Sequence, residues 1–190
     1  MSRQEPVKPK LWKSYIAPLL SPGRQFCLHA LDVPSERFGA LASFVEIWRG
    51  KWRDGKLPPW SAFDFYDFAG WHGWIHIDEI VSVSPFEMRC RLWGTELVNR
   101  LGVDETGKLL SFSPAVSEPN LIPFYRDILA LPAIGTNAGI VTSYGRASEW
   151  SVVKLPCPGH GAEPDVILSC SMQGTALAFP PEDLLDGRPE

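Results

Sequence analysis

Apolar residues recur along this chain at two different periods, and the change between them marks out the elements. In residues 35–54, Phe38, Leu41, Val45, Trp48 and Trp52 fall three or four positions apart, the spacing of one helix face. Pro34 suits a helix entry that Asp32 or Ser35 can cap. Arg49, Lys51, Arg53 and Lys56 gather at the far end, where the helix dipole favours cations. Residues 55–59 break the helix, and the run Phe63-Asp64-Phe65-Tyr66-Asp67-Phe68 reads as a short helical turn. From residue 74 the period falls to two, so residues 74–81 and 86–93 read as strands with a turn at 82–85. Strict alternation puts Phe86, Met88, Cys90 and Leu92 on one face of the second strand, and Glu87, Arg89, Arg91 and Trp93 on the other.

Thr95 can cap a short helix through Leu101 that Gly102 stops. Residues 119–131 read as a helix with Leu121, Tyr125, Ile128 and Leu129 on its apolar side. Three more strands are expected at 139–144, 150–155 and 166–174, with a Gly/Pro-rich hairpin loop at 156–164. This order suits one antiparallel sheet with helices on one face, an α+β fold, rather than a parallel βαβ series. Ahead of it, residues 1–34 are Pro-rich and irregular. Trp12, Tyr15, Ile16, Leu19 and Leu20 have helical spacing there, interrupted at Pro18. We read residues 1–34 as an arm carrying a short amphipathic turn that either packs on its own domain or forms a dimer contact, 35–178 as the domain including helix 35–54, and 179–190 as a polar tail.

Composition narrows the function. The chain has 190 residues, 45 % hydrophobic and 21 % charged, enough to bury a core without a disulfide or a metal. A net charge of -4 argues against a dedicated nucleic-acid binder, and no apolar stretch is long enough to span a membrane. The four cysteines lie far apart without a CxxC pair and suit a reducing compartment. The N-terminus shows no secretory leader, so a cytoplasmic location is expected. A chain of 190 residues leaves no room for an attached kinase, cyclase or DNA-binding segment, so output is expected through a partner or through self-association.

Two blocks carry a resemblance. Arg53-Asp54-Gly55-Lys56-Leu57-Pro58 leads to Phe63-Asp64. Met88-Arg89-Cys90-Arg91-Leu92-Trp93-Gly94-Thr95-Glu96-Leu97 is followed by Leu101-Gly102-Val103-Asp104-Glu105-Thr106-Gly107. The second block resembles the Arg-aliphatic-x-Gly-Thr and Gly-x-Asp-x-Thr-Gly signature of the PAS-type domain family of alphaproteobacteria. Lys154-Leu155-Pro156 is similar to that family's late strand, with Cys157 where an aliphatic residue usually stands. The resemblance covers about residues 44–175. It implies a PAS-like five-stranded antiparallel sheet, with helices between the second and third strands closing one side, here preceded by an N-terminal helical extension. It also implies a sensory or regulatory role.

The resemblance says which cofactors to look for. A haem type implies an axial His on the helix before the third strand, and residues 119–131 have none. A flavin photosensor implies a reactive Cys in the helical insert, and Cys27, Cys90, Cys157 and Cys170 lie elsewhere. Haem and flavin are therefore unsupported and no cofactor is expected. His72 and His76 have the spacing of a helical metal pair, but a strand sets such residues about 13 Å apart. They read as surface or edge histidines, and no metal site is expected. Cys157-Pro158-Gly159-His160 reads as a hairpin loop. Asp64, Asp67, Asp78 and Glu79 could pair as acid and base, but exposed capping and turn roles account for them, and no catalytic residue is assigned.

What remains is a pocket between sheet and helices. Met88, Cys90 and Leu92 face it, Tyr125 and Ile128 close it, and Leu168, Cys170 and Met172 floor it. An apolar lining with one hydroxyl and polarisable sulfurs suits a small apolar ligand; the alternative is that these residues simply fill the core. On the opposite face, Arg89, Arg91 and Trp93 need a cover. Trp12, Tyr15, Ile16, Trp48, Trp52, Arg91 and Trp93 form the candidate interface of a homodimer. Arg91, ion-paired or bonded to carbonyls under such a cover, is expected to contribute several kcal/mol. The expectation is a cytoplasmic PAS-like regulatory protein, not an enzyme, acting through ligand binding or contact with itself or an unknown protein partner. The alternative is a small enzyme or dedicated binding protein that uses the α+β cavity, which a perturbed pair of titratable groups inside it would favour.

Overall fold

In the computed structural model, which describes residues 14–16, 24–113 and 120–174, the alternating segments pair into one antiparallel sheet. The strands are β1 (Ser14–Ile16), β2 (Gln25–His29), β3 (Ile75–Val83), β4 (Phe86–Trp93), β5 (Ile134–Ser143), β6 (Arg146–Pro158) and β7 (Pro164–Gln173), in the order β1-β2-β5-β6-β7-β3-β4. The helices are α1 (Ala42–Arg49), α2 (Thr95–Leu101) and α3 (Leu121–Ala130). The α+β class is as expected, and the five expected strands are β3 to β7, with α2 and α3 between the second and third of them. The count of five is corrected. Six strands form the main sheet, and the three-residue β1 lies at its edge.

The sixth strand comes from the segment read as an arm. Phe26, Cys27, Leu28 and His29 are all buried, so β2 is an inner strand by composition and pairs along β5 from Gln25↔Ala138 to His29↔Ile134. At residues 14–16 the chain is extended, not helical, and pairs with β2. Trp12, Leu19, Leu20 and the tail 179–190 lie outside the described residues.

Helices cover both faces of the sheet rather than one. On the first face Phe38, Leu41, Phe44, Val45 and Trp48 pack against Ile75, Ile77, Val153, Leu155, Leu168 and Cys170. On the second, Phe124, Tyr125 and Ile128 of α3 pack against Phe26, Leu28, Met88 and Ile167. Gly135 permits this approach, since a methyl there would lie 2.3 Å from Ile128 Cδ1. The expected helix 35–54 divides into a 3-10 segment (Ser35–Leu41), itself kinked at Gly39 with φ 51°, and α1. Neither Asp32 nor Ser35 caps it, because the entry residue is Pro34. The basic cluster at its end is engaged locally. Arg49 donates to the carbonyls of Leu31 and Val33, Arg53 to those of Gly50 and Trp52, and Lys51 pairs with Asp67 at 2.6 Å. Asp64 and Asp67 do cap their turn, each accepting from the other's backbone N–H.

One irregularity matters for the site. Cys90 pairs with Asp78 and Leu92 with Ile77, so Arg91 is an extra residue in β4. Alternation resumes one step late beyond such a bulge. Leu92 therefore shares the face of Ile77, and Trp93 that of His76. No helix among the described residues is long and apolar enough to cross a membrane.

Candidate functional site

Between the second face of the sheet and the segment that follows α2 lies a cavity of about 170 Å³. Strands supply most of its wall: His76 and Asp78 from β3, Met88, Cys90 and Trp93 from β4, Val152 and Lys154 from β6, and Ser171 from β7. Tyr125 closes it from α3, and Leu101, Glu105, Lys108 and Leu110 come from α2 and the loop behind it. Gly94 and Gly73 set where α2 starts: a methyl on Gly94 would lie 2.3 Å from the Gly73 carbonyl oxygen, which accepts from the N–H groups of Glu96 and Leu97.

The wall holds a buried polar cluster. Lys154 is 3 % exposed, and its Nζ donates to Tyr125 Oη at 2.9 Å, His76 Nε2 at 3.2 Å and Ser169 Oγ at 3.5 Å. Tyr125 Oη in turn donates to Asp78 Oδ2 at 3.2 Å. An ammonium group only donates, so Nε2 of His76 accepts and its ring proton sits on Nδ1, facing Ser171 Oγ at 3.5 Å. Lys154 and Asp78 are thus bridged by a phenol, across β6, α3 and β3.

Burial dominates the electrostatics. It lowers Lys154 to about 8, against the pull of the Asp78 charge. It raises Asp78, against Lys154 and the Tyr125 hydrogen bond. His76 is held well below its ordinary value by burial and by Lys154, and is neutral. Tyr125 is pushed well up by burial and by Asp78, so its hydroxyl keeps its proton. Cys90 is raised to about 12, by burial first and then by Asp78, and is a thiol. Two buried polar atoms at the wall, Trp93 Nε1 and Asn137 Oδ1, have no protein partner.

Three of the eight expected pocket residues line the cavity: Met88, Cys90 and Tyr125. Ile128 lies in the packed layer between α3 and the sheet. The bulge at Arg91 turns Leu92 away and brings Trp93 in. Leu168 and Cys170 face α1, and Met172 packs on the same core. The cavity side of β7 carries Ser169 and Ser171 instead, for β7 is buried on both faces and its apolar parity does not say which face is hollow. His76, Asp78 and Glu79, read as exposed, are buried. The missed members are His76, Asp78, Lys154 and Trp93. A signal existed for two of them: Lys154 stands between Val153 and Leu155, and Asp78 follows Ile77, charges inside apolar strands.

The candidate interface residues do not form one patch. Trp48 is fully buried in its own chain's core, with Trp52 half-buried against it, so the Trp48 ring is not free for a partner. Arg91 and Arg89 both grip Glu79, and Trp93 sits in the cavity beside His76, ring centroids 5.0 Å apart. Tyr15 and Ile16 lie on β1, and Trp12 is outside the described residues. His72 is on the surface, with Nε2 2.7 Å from the Phe65 carbonyl. Asp165 closes the 157–160 loop by accepting from Gly159 and His160.

No family model, no curated protein and no solved structure matches the chain.

Proposed function

We propose that the chain is a PAS-type regulatory domain that binds a small molecule in this cavity and passes its occupancy on through protein contact, with self-association as one form of that contact. The observation that carries the reading is the cluster of Lys154, Tyr125, Asp78 and His76, drawn from two strands and α3 and set in the wall of a cavity. Buried polar networks are demanding to satisfy, and a protein that only needed a core would fill this one. The hairpin, helical insert and three-stranded meander of β3 to β7 support the PAS resemblance. A ligand touching Tyr125 or Lys154 loads α3, β3 and β6 together, which is a route from cavity to surface. Four free, buried cysteines support the cytoplasmic placement.

Native mass spectrometry of protein purified from its own host tests the reading. A small molecule is expected at one per chain, released on denaturation and absent from a folded Val152→Trp variant whose indole fills the cavity. Full retention in that variant places the ligand elsewhere and defeats the proposal.

A catalytic use is the second reading, favoured by the perturbed Lys154–Tyr125 pair. Against it, the Lys154 ammonium is engaged by three acceptors and the phenol keeps its proton, so neither is a free base at neutral pH. Borohydride reduction in the presence of small aldehydes is expected to leave Lys154 unmodified; an adduct on Lys154 would favour the catalytic reading.

A further inference from the structure

The charges around the cavity do not balance. Arg24, Lys108 and Lys154 line it, against the carboxylates of Asp78 and Glu105. Lys108 pairs with Glu105 at 3.6 Å, and Lys154 is joined to Asp78 through Tyr125. His76 is neutral. Arg24 is left over, without an ion-pair partner among the described residues.

Arg24 is also placed rather than loose. It lies just before β2, beside Gly139 of β5, and its stem crosses the glycine backbone. A methyl on Gly139 would lie 2.5 Å from Arg24 Cγ and 3.1 Å from its Cα. Any side chain at 139 would force the arginine stem to shift. Its side chain lines the same cavity as Lys154 and Tyr125, and its charge lowers the pKa of both. A guanidinium offers a planar fork of donors that fits a carboxylate at two points. At the same wall one buried donor, Trp93 Nε1, and one buried acceptor, Asn137 Oδ1, lack a protein partner. The surplus positive charge calls for an anion, and the two open polar atoms leave room for further hydrogen bonds to it.

Size limits the rest of that anion. A cavity of about 150 Å³ is enough for benzene, and this one is about 170 Å³. Its remaining surface includes Met88, Leu101, Leu110, Leu121 and Val152, a lining for carbon.

We propose that the cavity takes a small monocarboxylate with a body about the size of one six-membered ring, its carboxylate on Arg24 and its carbon skeleton against the apolar wall. This rests on the reading of the cavity as a ligand site and narrows it from an apolar ligand to an acid.

Calorimetric titration of the full chain with benzoate and with its neutral isostere benzamide tests it. Benzoate is expected to bind at one site at least tenfold more tightly than benzamide. Arg24→Gln is expected to lower benzoate affinity at least tenfold while leaving benzamide unchanged, and Arg24→Lys to recover part of the loss. Gly139→Val is expected to act like Arg24→Gln, by moving the arginine instead of removing it. Equal affinity for the two probes leaves the cavity a ligand site but overturns the acid. Benzoate binding that Arg24→Gln does not weaken overturns the role of Arg24. Binding of neither probe overturns the acid and counts against the cavity reading as well. Should Arg24→Gln not fold, the comparison of the two probes on the unaltered chain still decides.

Discussion

The two faces of the sheet answer the same problem, the burial of a large surface, in opposite ways. Under α1, Phe38, Leu41, Phe44, Val45 and Trp48 meet strand side chains with no measurable exposure. Polar groups there are local, such as His29, which shares a hydrogen bond of 2.7 Å with Thr136. Under α3, the layer of Phe124 and Ile128 gives way to a lysine, an aspartate, a histidine and a tyrosine around a hollow. Close packing is the default for interiors, and departures from it concentrate at functional sites. One face holds the domain together, and the other accepts a less stable arrangement in return for a chemically distinctive space.

Mutations should separate the two roles. Trp48→Ala removes the largest fully buried side chain from the packed face and should cost about 3–5 kcal/mol in urea denaturation, with no change in what the folded protein binds. If binding vanished in protein that remained folded, the faces would not be separable. Lys154→Met on the hollow face should cost about 3 kcal/mol, because it strands a buried carboxylate. Adding Asp78→Asn should restore most of that loss. A double variant no more stable than the single would show that Lys154 and Asp78 are not a pair.

Acid should weaken both faces, each through one imidazole. Burial, with the Arg37 charge second, lowers His29 from an ordinary 6.5 to about 4. As pH falls, the unfolded chain takes up the proton first. The contribution is therefore complete above pH 6.5 and drains away towards pH 4, amounting to at most about 3 kcal/mol. His76 shifts in the same direction. His29→Asn should make the urea midpoint less sensitive to pH between 6.5 and 4.5, and His29→Asn with His76→Asn less sensitive still. An unchanged slope would mean that carboxylates, not these rings, control the acid limb.

The smallest effect belongs to Arg91→Ala. The sequence alone predicts several kcal/mol, on the premise of a covered face. The side chain is 39 % exposed, and Glu79 keeps Arg89 when Arg91 is gone. A loss below about 1 kcal/mol is expected by thermal melting. A larger one would show that Glu79 needs both cations.

Local pattern reached the elements but not their surroundings. The second strand at 86–93, the helix from Thr95 to its stop at Gly102, and α3 follow from spacing and from glycine chemistry. Face assignment failed in two places for separate reasons. In β4 the bulge breaks the parity that alternation assumes. In β7 both faces are buried, so an apolar stripe marks a core without saying which one. The polar cluster joins residues 76, 78, 125 and 154, and no local window contains that set. Only the oddity of a charge inside an apolar strand pointed to it. Strand β2 was hidden by the prolines around it, although its Phe26-Cys27-Leu28 core is as apolar as any inner strand.

The bulge at Arg91 has an evolutionary side. Where it sits decides whether position 92 or position 93 looks into the cavity, so the hairpin holds an isobutyl group and an indole as interchangeable linings. A lineage could exchange one for the other by shifting a single backbone irregularity, leaving every side chain in the hairpin as it is. The lining of the cavity is thus set partly by strand register, a kind of variation that a comparison of residues position by position does not see.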